Sequence, residues 1–285
     1  MQILRVMLGL LLLFFGNAEA APVHSFVVSD VVVNSGQAKQ IESFVRYLSE
    51  KSGYPMQAVF TSHYTGLSDI LREHPDSIGW TCGAPYVEDH KAYGQQLVAV
   101  PLFQGKPLYH SLILTQKDRP EKQLSDFKGK VLAYSDIRSN SGFISPAYAL
   151  HEKGIDISKY FRLAIDTGSH ENSIQALLGG LADVSAVDEY VWVEYIKTHP
   201  KTAIKLKEIE RMGPYPFTPV VAGPKVDAAI LKKLEDALTG MKADAKGRTM
   251  LKDFGMDGFV VEPDSFYAPI AKMLAAVRPD GHAAR

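Results

Sequence analysis

The sequence has very little cysteine and no excess of charge. Cys82 is the only cysteine among 285 residues, which excludes an internal disulfide, so that stability must come from a hydrophobic core. The 31 basic and 32 acidic residues give a net charge of −1, and no long run carries one sign. This balance argues against nucleic acid or a membrane surface as the partner. Any anionic ligand would therefore have to be captured by a local site.

A hydrophobic run long enough to cross a membrane is also missing near the N-terminus. The apolar segment from Val6 to Phe15 has roughly ten residues, and a bilayer requires about 20. Arg5 precedes this segment, and Ala18-Glu19-Ala20 supplies an Ala-X-Ala cleavage site. We interpret residues 1–20 as a signal peptide that is removed after Ala20, and we expect the chain to be exported. The competing interpretation is a membrane anchor.

The sequence lacks the familiar signatures of enzymes and metal sites. It contains no Gly-X-Ser-X-Gly elbow, no His-Glu-X-X-His and no Walker loop, and its nine histidines show no metal-ligand spacing. We therefore predict no catalytic residue, no metal and no cofactor. With 46% hydrophobic residues, the mature chain can form one large domain or two ordinary ones.

Strand-like and helix-like segments alternate along the chain, a pattern that predicts an α/β fold with a largely parallel sheet. Two interruptions divide the pattern into two lobes. The first is Gly105-Lys106-Pro107, and the second is the proline-rich segment at residues 213–219, which we predict to contain no regular element. Predicted strands lie at residues 25–33, 56–60, 78–80, 97–103, 109–115, 130–134, 161–165 and 183–187.

Residues 135–148 place hydroxyl and amide side chains where an apolar strand turns into a helix. The hydroxyls of Ser139 and Ser141, unpaired backbone N–H groups and the positive end of the helix dipole could converge there on an oxyanion. Gly142 would let a bound group approach the backbone closely, and Pro146 is tolerated in a first helical turn. The alternative interpretation is an ordinary serine N-cap.

Two further residues occupy equivalent turns of the same lobe. His170 follows a strand and opens a helix, so a neutral or charged imidazole could donate to an anion. Asp188 ends the strand at residues 183–187, where it could bond a protonated oxygen or an amine, or cap the next helix. For His170 the alternative is a capped or solvated side chain.

Three candidates lie in the first lobe. Tyr64 and Tyr86 each sit in a turn, and their hydroxyls suit hydrogen bonds to phosphoryl oxygens, although both could be core residues. Cys82 could be a ligand for a soft metal or arsenic, but a buried thiol is the favoured interpretation.

These features together resemble the periplasmic phosphonate-binding and phosphite-binding proteins of ABC importers, which belong to the type 2 solute-binding proteins. The resemblance extends from about Ser25 to Val277. It is carried by these motifs: Tyr64-Thr65-Gly66-Leu67, Gly83-Ala84-Pro85-Tyr86, Asp126-Phe127-Lys128-Gly129-Lys130, Ser139-Asn140-Ser141-Gly142 with Pro146, His170-Glu171-Asn172-Ser173-Ile174, and the segment from Gly180 to Asp188.

The resemblance implies a two-lobe type 2 periplasmic binding protein fold with two crossing hinge segments. Residues 21–106 and 218–285 would form lobe 1, and residues 107–217 would form lobe 2. The implied ligand is a small phosphorus oxyanion (phosphonate, phosphite or phosphate), and the implied partner is an inner-membrane ABC permease. We also expect a monomer. The implied ligand-binding residues are Tyr64 and Tyr86 from lobe 1 and Ser139, Asn140, Ser141, His170 and Asp188 from lobe 2, beside Gly142.

Two positions depart from the pattern of the resembled family. Asn140 stands where serine or threonine is common, and this change removes a hydroxyl. Cys82 precedes the Gly-X-Pro-Tyr turn, and a cysteine is found there in only part of the family. Because related proteins use a single cysteine to sense arsenite, the alternative function is a periplasmic oxyanion sensor that partners a membrane histidine kinase.

Overall fold

The computed structural model describes residues 23–31 and 35–278. The predicted signal peptide lies outside these residues. The strands are β1 (His24–Ser29), β2 (Met56–Thr61), β3 (Ile78–Trp80), β4 (Gln96–Leu102), β5 (Leu108–Gln116), β6 (Val131–Tyr134), β7 (Leu163–Asp166), β8 (Val184–Asp188), β9 (Leu206–Pro216), β10 (Val220–Ala222) and β11 (Gly258–Val260).

Helices cover both sheets. They are α1 (Ala38–Ser52), α2 (Tyr64–Glu73), α3 (Gly83–Tyr93), α4 (Ser145–His151), α5 (Ile157–Tyr160), α6 (His170–Leu178), α7 (Glu189–Thr198), α8 (Pro200–Ala203), α9 (Ala228–Thr239), α10 (Ala245–Asp253) and α11 (Ala268–Val277). Among residues 23–31 and 35–278, none of these helices has the length and the apolar composition that crossing a membrane requires.

The strands form two separate sheets, one in each lobe. The first has the order β11-β4-β10-β3-β1-β2, and the second has the order β7-β6-β8-β5-β9. In the first, β1 runs parallel to β2 and β3, whereas β10 and β11 run antiparallel to their neighbours. In the second, β6 runs parallel to β7 and β8, whereas β5 pairs antiparallel with β8 and β9. The prediction of an α/β fold with two lobes is confirmed.

The prediction that the sheet is largely parallel is wrong, because the chain crosses between the lobes twice. A strand that enters a sheet from the other lobe does not follow a βαβ crossover, and it can therefore run against its neighbours. Strand β5 enters the second sheet in this way, and β10 returns to the first. The two crossings lie side by side, since the N–H of Phe217 donates to the Pro107 carbonyl at 3.0 Å.

The proline-rich segment also differs from expectation. Strand β9 extends through it as far as Pro216, pairing Tyr215 with Tyr109 and Pro216 with Leu108. A proline lacks the N–H that a central strand would need, but β9 is the edge of its sheet and can accept one. The crossing therefore begins later than the sequence predicts.

Apolar residues at helical spacing form the faces by which the helices pack on these sheets. Helix α1 buries Ile41, Phe44 and Leu48 on one face and ends at Gly53, which has a left-handed φ of 67°, as its pattern predicts. The second sheet is covered on both faces: Val187 packs in one apolar cluster and its neighbour Ala186 in another. This double burial explains the apolar residues Val184, Ala186 and Val187 of β8, which ends at Asp188 beside the cleft between the lobes.

Candidate functional site

The serine-rich turn lies where the sequence predicts a helix start, but it begins with a wider turn. Residues Asn140–Ile144 form a π-helical turn that continues into α4. Ser139 caps it, because its hydroxyl oxygen accepts the N–H of Gly142 at 3.1 Å. Wider turns of this kind are frequent at functional sites.

Three serine hydroxyls gather around one ring nitrogen of His170. The Oγ atom of Ser135 lies 3.3 Å from Nε2 of His170, and those of Ser139 and Ser141 each lie 3.4 Å from it. All three serines are fully buried, and His170 is nearly so. The structure therefore brings Ser139, Ser141 and His170 together, as the sequence predicts.

The hydrogen bonds of His170 fix its protonation. The backbone N–H of Asp188 donates to Nδ1 at 3.2 Å, so Nδ1 is an acceptor and the ring proton of the neutral form lies on Nε2. Burial lowers the pKa of His170 to about 3. The imidazole is therefore a neutral donor at physiological pH, which decides between the neutral and charged forms that the sequence left open.

Gly142 is required by the close packing of the hydroxyl groups. A Cβ atom at this position would lie 2.3 Å from Oγ of Ser135 and 3.0 Å from Oγ of Ser139. Only glycine leaves room for both hydroxyls beside the turn, so its role is to let these side chains meet.

Asn140 connects the serine-rich turn to the first lobe and to a crossing strand. Its backbone N–H donates to Sγ of Cys82 at 3.3 Å, and its Nδ2 donates to the hydroxyl of Tyr109 at 3.0 Å. The buried Oδ1 atom has no hydrogen-bond partner among the described residues. Cys82 is itself buried, and burial raises the pKa of its thiol.

Asp188 uses one oxygen for structure and leaves the other unpaired. Its Oδ1 accepts the N–H of Tyr190 at 2.8 Å and so caps α7, which is one of the two predicted roles. Its Oδ2 is buried and has no hydrogen-bond partner in the described part of the chain. Burial raises the pKa of this carboxyl to about 7, so at neutral pH it is close to half protonated.

On the lobe 1 side, Tyr64 faces the same cleft. It is the first residue of α2, and its buried hydroxyl has no partner within the described ranges. The hydroxyl of Thr81 is likewise buried and unpaired. Both residues line a cavity of about 30 Å³ on the lobe 1 side, which Tyr190 of lobe 2 helps to close; the other lining residues are Val28, Ser29, Gln37, Ile41, Trp80, Thr218, Phe254 and Met256.

Tyr86 takes a different position from the other predicted residues. Its hydroxyl donates to the carboxylate of Asp264, and its ring packs edge-on against Tyr267 with the centroids 4.9 Å apart. Both partners belong to the first lobe. The structure thus engages this hydroxyl inside lobe 1 and does not bring it to the serines, because α3 directs the side chain toward the segment that opens α11.

Sequence reasoning missed several residues of the cleft. Ser135 directly follows β6, and this position at the carboxyl end of a strand was a usable signal. Tyr109 and Thr81 gave none, since a tyrosine in a crossing strand and a threonine after a short strand are ordinary core residues. Among residues 23–31 and 35–278, no group of three His, Cys, Asp or Glu side chains is arranged to hold a metal ion.

Comparison with known proteins identifies a family that matches most of the chain. The family described as "ABC transporter, phosphonate, periplasmic substrate-binding protein" matches residues 32–267. The phosphonates-binding periplasmic protein of Escherichia coli (strain K12) is 25% identical over 236 residues, which cover 81% of this chain and 69% of that protein.

Two solved structures share the fold. A binding protein component of an ABC phosphonate transporter from Pseudomonas aeruginosa superposes with a TM-score of 0.82 at 24% identity, covering 92% of this chain and 89% of the other. PhnD1 from Prochlorococcus marinus (MIT 9301), in complex with methylphosphonate, superposes with a TM-score of 0.80 at 18% identity. The match covers 88% of this chain and 97% of the other. With most of its length matched, the chain belongs to the family of periplasmic substrate-binding proteins of phosphonate ABC transporters.

Proposed function

We propose that this protein captures a small phosphorus oxyanion (a phosphonate, phosphite or phosphate) in the cleft between its lobes. Membership in the family implies a small ligand, a periplasmic location and a membrane permease as the partner. We place the hinges at the junctions of residues 106 and 107 and of residues 217 and 218, and we infer a monomer that closes on its ligand without catalysing a reaction.

The observation that supports the proposal most directly is that three serine hydroxyls surround Nε2 of a neutral His170. Because Nε2–H of His170 donates to a hydroxyl oxygen, the serine protons are left to donate to a ligand. A group of buried donors with no fixed positive charge suits an oxyanion that must be bound and later released. Methylphosphonate, the ligand of the similar PhnD1 structure, is of this chemical class.

A small cavity lies beside Tyr64, on the lobe 1 side of the cleft. The cavity lined by Tyr64 and Thr81 measures about 30 Å³, room for one or two waters or a methyl-sized group. A ligand seated between the lobes would also reach the unpaired oxygens of Tyr64, Asn140 and Asp188. Closure of the lobes would then replace the hydration shell of the anion with protein donors.

Calorimetric titration of the mature protein with methylphosphonate, phosphite and phosphate tests the proposal. We expect Ser141→Ala and His170→Ala each to weaken the affinity for the bound anion by about 1–3 kcal/mol. Ser141→Ala removes a hydroxyl that donates to the anion, and His170→Ala removes the N–H that turns the serine hydroxyls toward it. Ser43→Ala, on the exposed face of α1, is the matched control and should bind like the wild type. Wild-type affinity in both cleft variants would contradict the proposal.

One observation supports the sensor as a second candidate. The thiol of Cys82 lies between the lobes, against the N–H of Asn140 at the start of the serine-rich turn. If arsenite is the cue for a membrane histidine kinase, Cys82→Ser should abolish arsenite binding. Under the leading proposal neither the wild type nor Cys82→Ser binds arsenite. Both proteins then have the same affinity for the phosphorus oxyanion.

A further inference from the structure

The segment just ahead of the serine-rich turn reaches out of lobe 2 into lobe 1. Asp136, Ile137 and Arg138 follow β6 and immediately precede Ser139. Asp136 and Arg138 are charged, yet they are only 2% and 4% exposed. Neither is explained by a site that holds its ligand with neutral donors, so their burial requires another reason.

Arg138 is inserted between two helices of the opposite lobe. Its Nη1 donates to the Ser68 hydroxyl of α2 at 2.6 Å. Its Nη2 and Nε donate to the carboxylates of Asp89 and Glu88 of α3, at 2.7 and 2.8 Å. The whole guanidinium fork is thus used, and all of its carboxylate and hydroxyl partners lie across the cleft.

Asp136 supplies a cap to a helix of the opposite lobe. Its Oδ2 accepts the N–H of Tyr64, the first residue of α2, at 3.2 Å and lies 3.3 Å from Nδ1 of His63. His63 occupies the N-cap position of α2 but makes no capping bond with its own side chain. The other oxygen of Asp136 accepts the N–H of Arg138 at 2.7 Å, which stiffens the segment.

A second arginine completes the arrangement from the lobe 1 side. Arg278, which follows α11, donates to Glu88 at 2.6 Å and to the carbonyl of Ile137 at 2.5 Å. Two arginines therefore face two carboxylates in the assembled contact. Withdrawal of Arg138 would leave one carboxylate of α3 without its cation, and an uncompensated buried charge is costly.

We propose that Asp136 and Arg138 form an interlobe clasp with Ser68, Glu88, Asp89, Arg278 and the N-terminus of α2, and that this clasp sets the affinity for the ligand without touching it. Because the clasp residues adjoin Ser139, closing the clasp also places the serine-rich turn against lobe 1. Arg138 is then a positioning residue. This inference rests on the proposed function, since it concerns how the same cleft closes on its ligand.

Calorimetry with methylphosphonate and phosphite on full-length mature variants tests the clasp. We expect Arg138→Met to raise Kd by about 10- to 100-fold while about one site per chain remains. A merely structural defect would lower the number of sites and leave Kd unchanged. Arg72→Met is the matched control, because Arg72 lies on the outer face of α2 and pairs with Asp69 in the same helix; it should stay within about twofold of the wild type.

Further variants distinguish the loss of the Arg138–Asp89 ion pair from a general loss of structure. Arg138→Met combined with Asp89→Asn should bind more tightly than Arg138→Met alone, because no buried carboxylate is left unpaired. Arg138→Lys should fall between the wild type and Arg138→Met, since lysine keeps the charge but not the fork. If Arg138→Met does not fold, the test is made with Asp89→Asn and Arg138→Lys instead. A Kd equal to that of the wild type in both variants would contradict the proposed clasp.

Solution scattering of the ligand-free proteins distinguishes failure of the clasp from failure of the proposed function. Wild-type protein that binds no phosphorus oxyanion would refute the function. The clasp still predicts that Arg138→Met has a larger radius of gyration than the wild type and Arg72→Met. Equal radii, or an unchanged Kd where binding occurs, would overturn the clasp.

Discussion

At the scale of single residues, burial makes the cleft neutral by acting on an acid and a base in opposite directions. Desolvation raises the pKa of Asp188 to about 7 and lowers that of His170 to about 3. The two are linked, because the N–H of Asp188 donates to the histidine ring. Around pH 6, both side chains are mostly uncharged, which removes electrostatic repulsion of an anion without adding a strong attraction.

The raised pKa of Asp188 predicts that affinity falls as the pH rises. A protonated Asp188 can donate to a phosphoryl oxygen, whereas the ionised form places a negative charge beside an anion. We expect the affinity of the wild type, divided by that of Asp188→Asn, to be nearly constant below about pH 6 and to fall up to tenfold per pH unit above about pH 7.

Calorimetric titrations of both proteins with one anion in the same buffers measure this ratio. Asparagine stays neutral throughout, so dividing by its affinity removes the ionisation of the ligand itself. A ratio that is constant from pH 6 to 9 would show that Asp188 does not share a proton with the ligand.

At the scale of elements, the serine-rich turn that leads into α4 brings polar side chains of lobe 2 together. The π-helical turn at Asn140–Ile144 displaces the backbone from a regular α-helical path, and its N-cap serine is one of the hydroxyls that meet at His170. The sequence predicts the hydroxyls and the strand-to-helix turn. It does not predict the wider turn, because a π turn depends on the packing around it more than on local propensity.

The packing of this turn predicts that Gly142→Ala is damaging. The new Cβ would meet the hydroxyls of Ser135 and Ser139 at 2.3 and 3.0 Å, so one serine must leave His170. We expect the free energy of unfolding to fall by about 1–3 kcal/mol, and oxyanion affinity to weaken with it.

Thermal unfolding and calorimetry check this expectation against Gly240→Ala. Gly240 follows α9 with a φ of −75°, and a Cβ there meets no atom within 4 Å. The control should therefore change stability by no more than about 0.5 kcal/mol. Equal behaviour of the two variants would mean that the serine cluster tolerates rearrangement.

At the scale of the whole molecule, alternation of apolar segments was sufficient to predict two α/β lobes. It also located Ser139, Ser141, His170 and Asp188 at one edge of a sheet, because β6 and β8 run parallel and end together. Contacts between the lobes could not be predicted in the same way. The partners of Arg138 are about 50 or more residues distant in sequence, and no local pattern relates them.

The antiparallel return of β9 and β10 escaped prediction for a related reason. Prolines are rare inside sheets, so Pro214 and Pro216 favour a loop on local grounds alone. Only the position of β9 at the edge of its sheet permits them, and edge position is a property of the assembled fold.

Because Cys82 is the only cysteine and lies buried between the lobes, its alkylation should report how often the molecule opens. A ligand that binds the closed form reduces the open, ligand-free population by a factor of 1 + [L]/Kd. At a methylphosphonate concentration of 100 times Kd, we expect iodoacetamide to label Cys82 about 100-fold more slowly than without ligand. Mass spectrometry of the intact chain measures the rate, and the denatured chain gives the unprotected limit. Labelling that is unaffected by saturating ligand would mean that the reagent reaches the thiol without separation of the lobes, and that closure on the ligand does not bury it further.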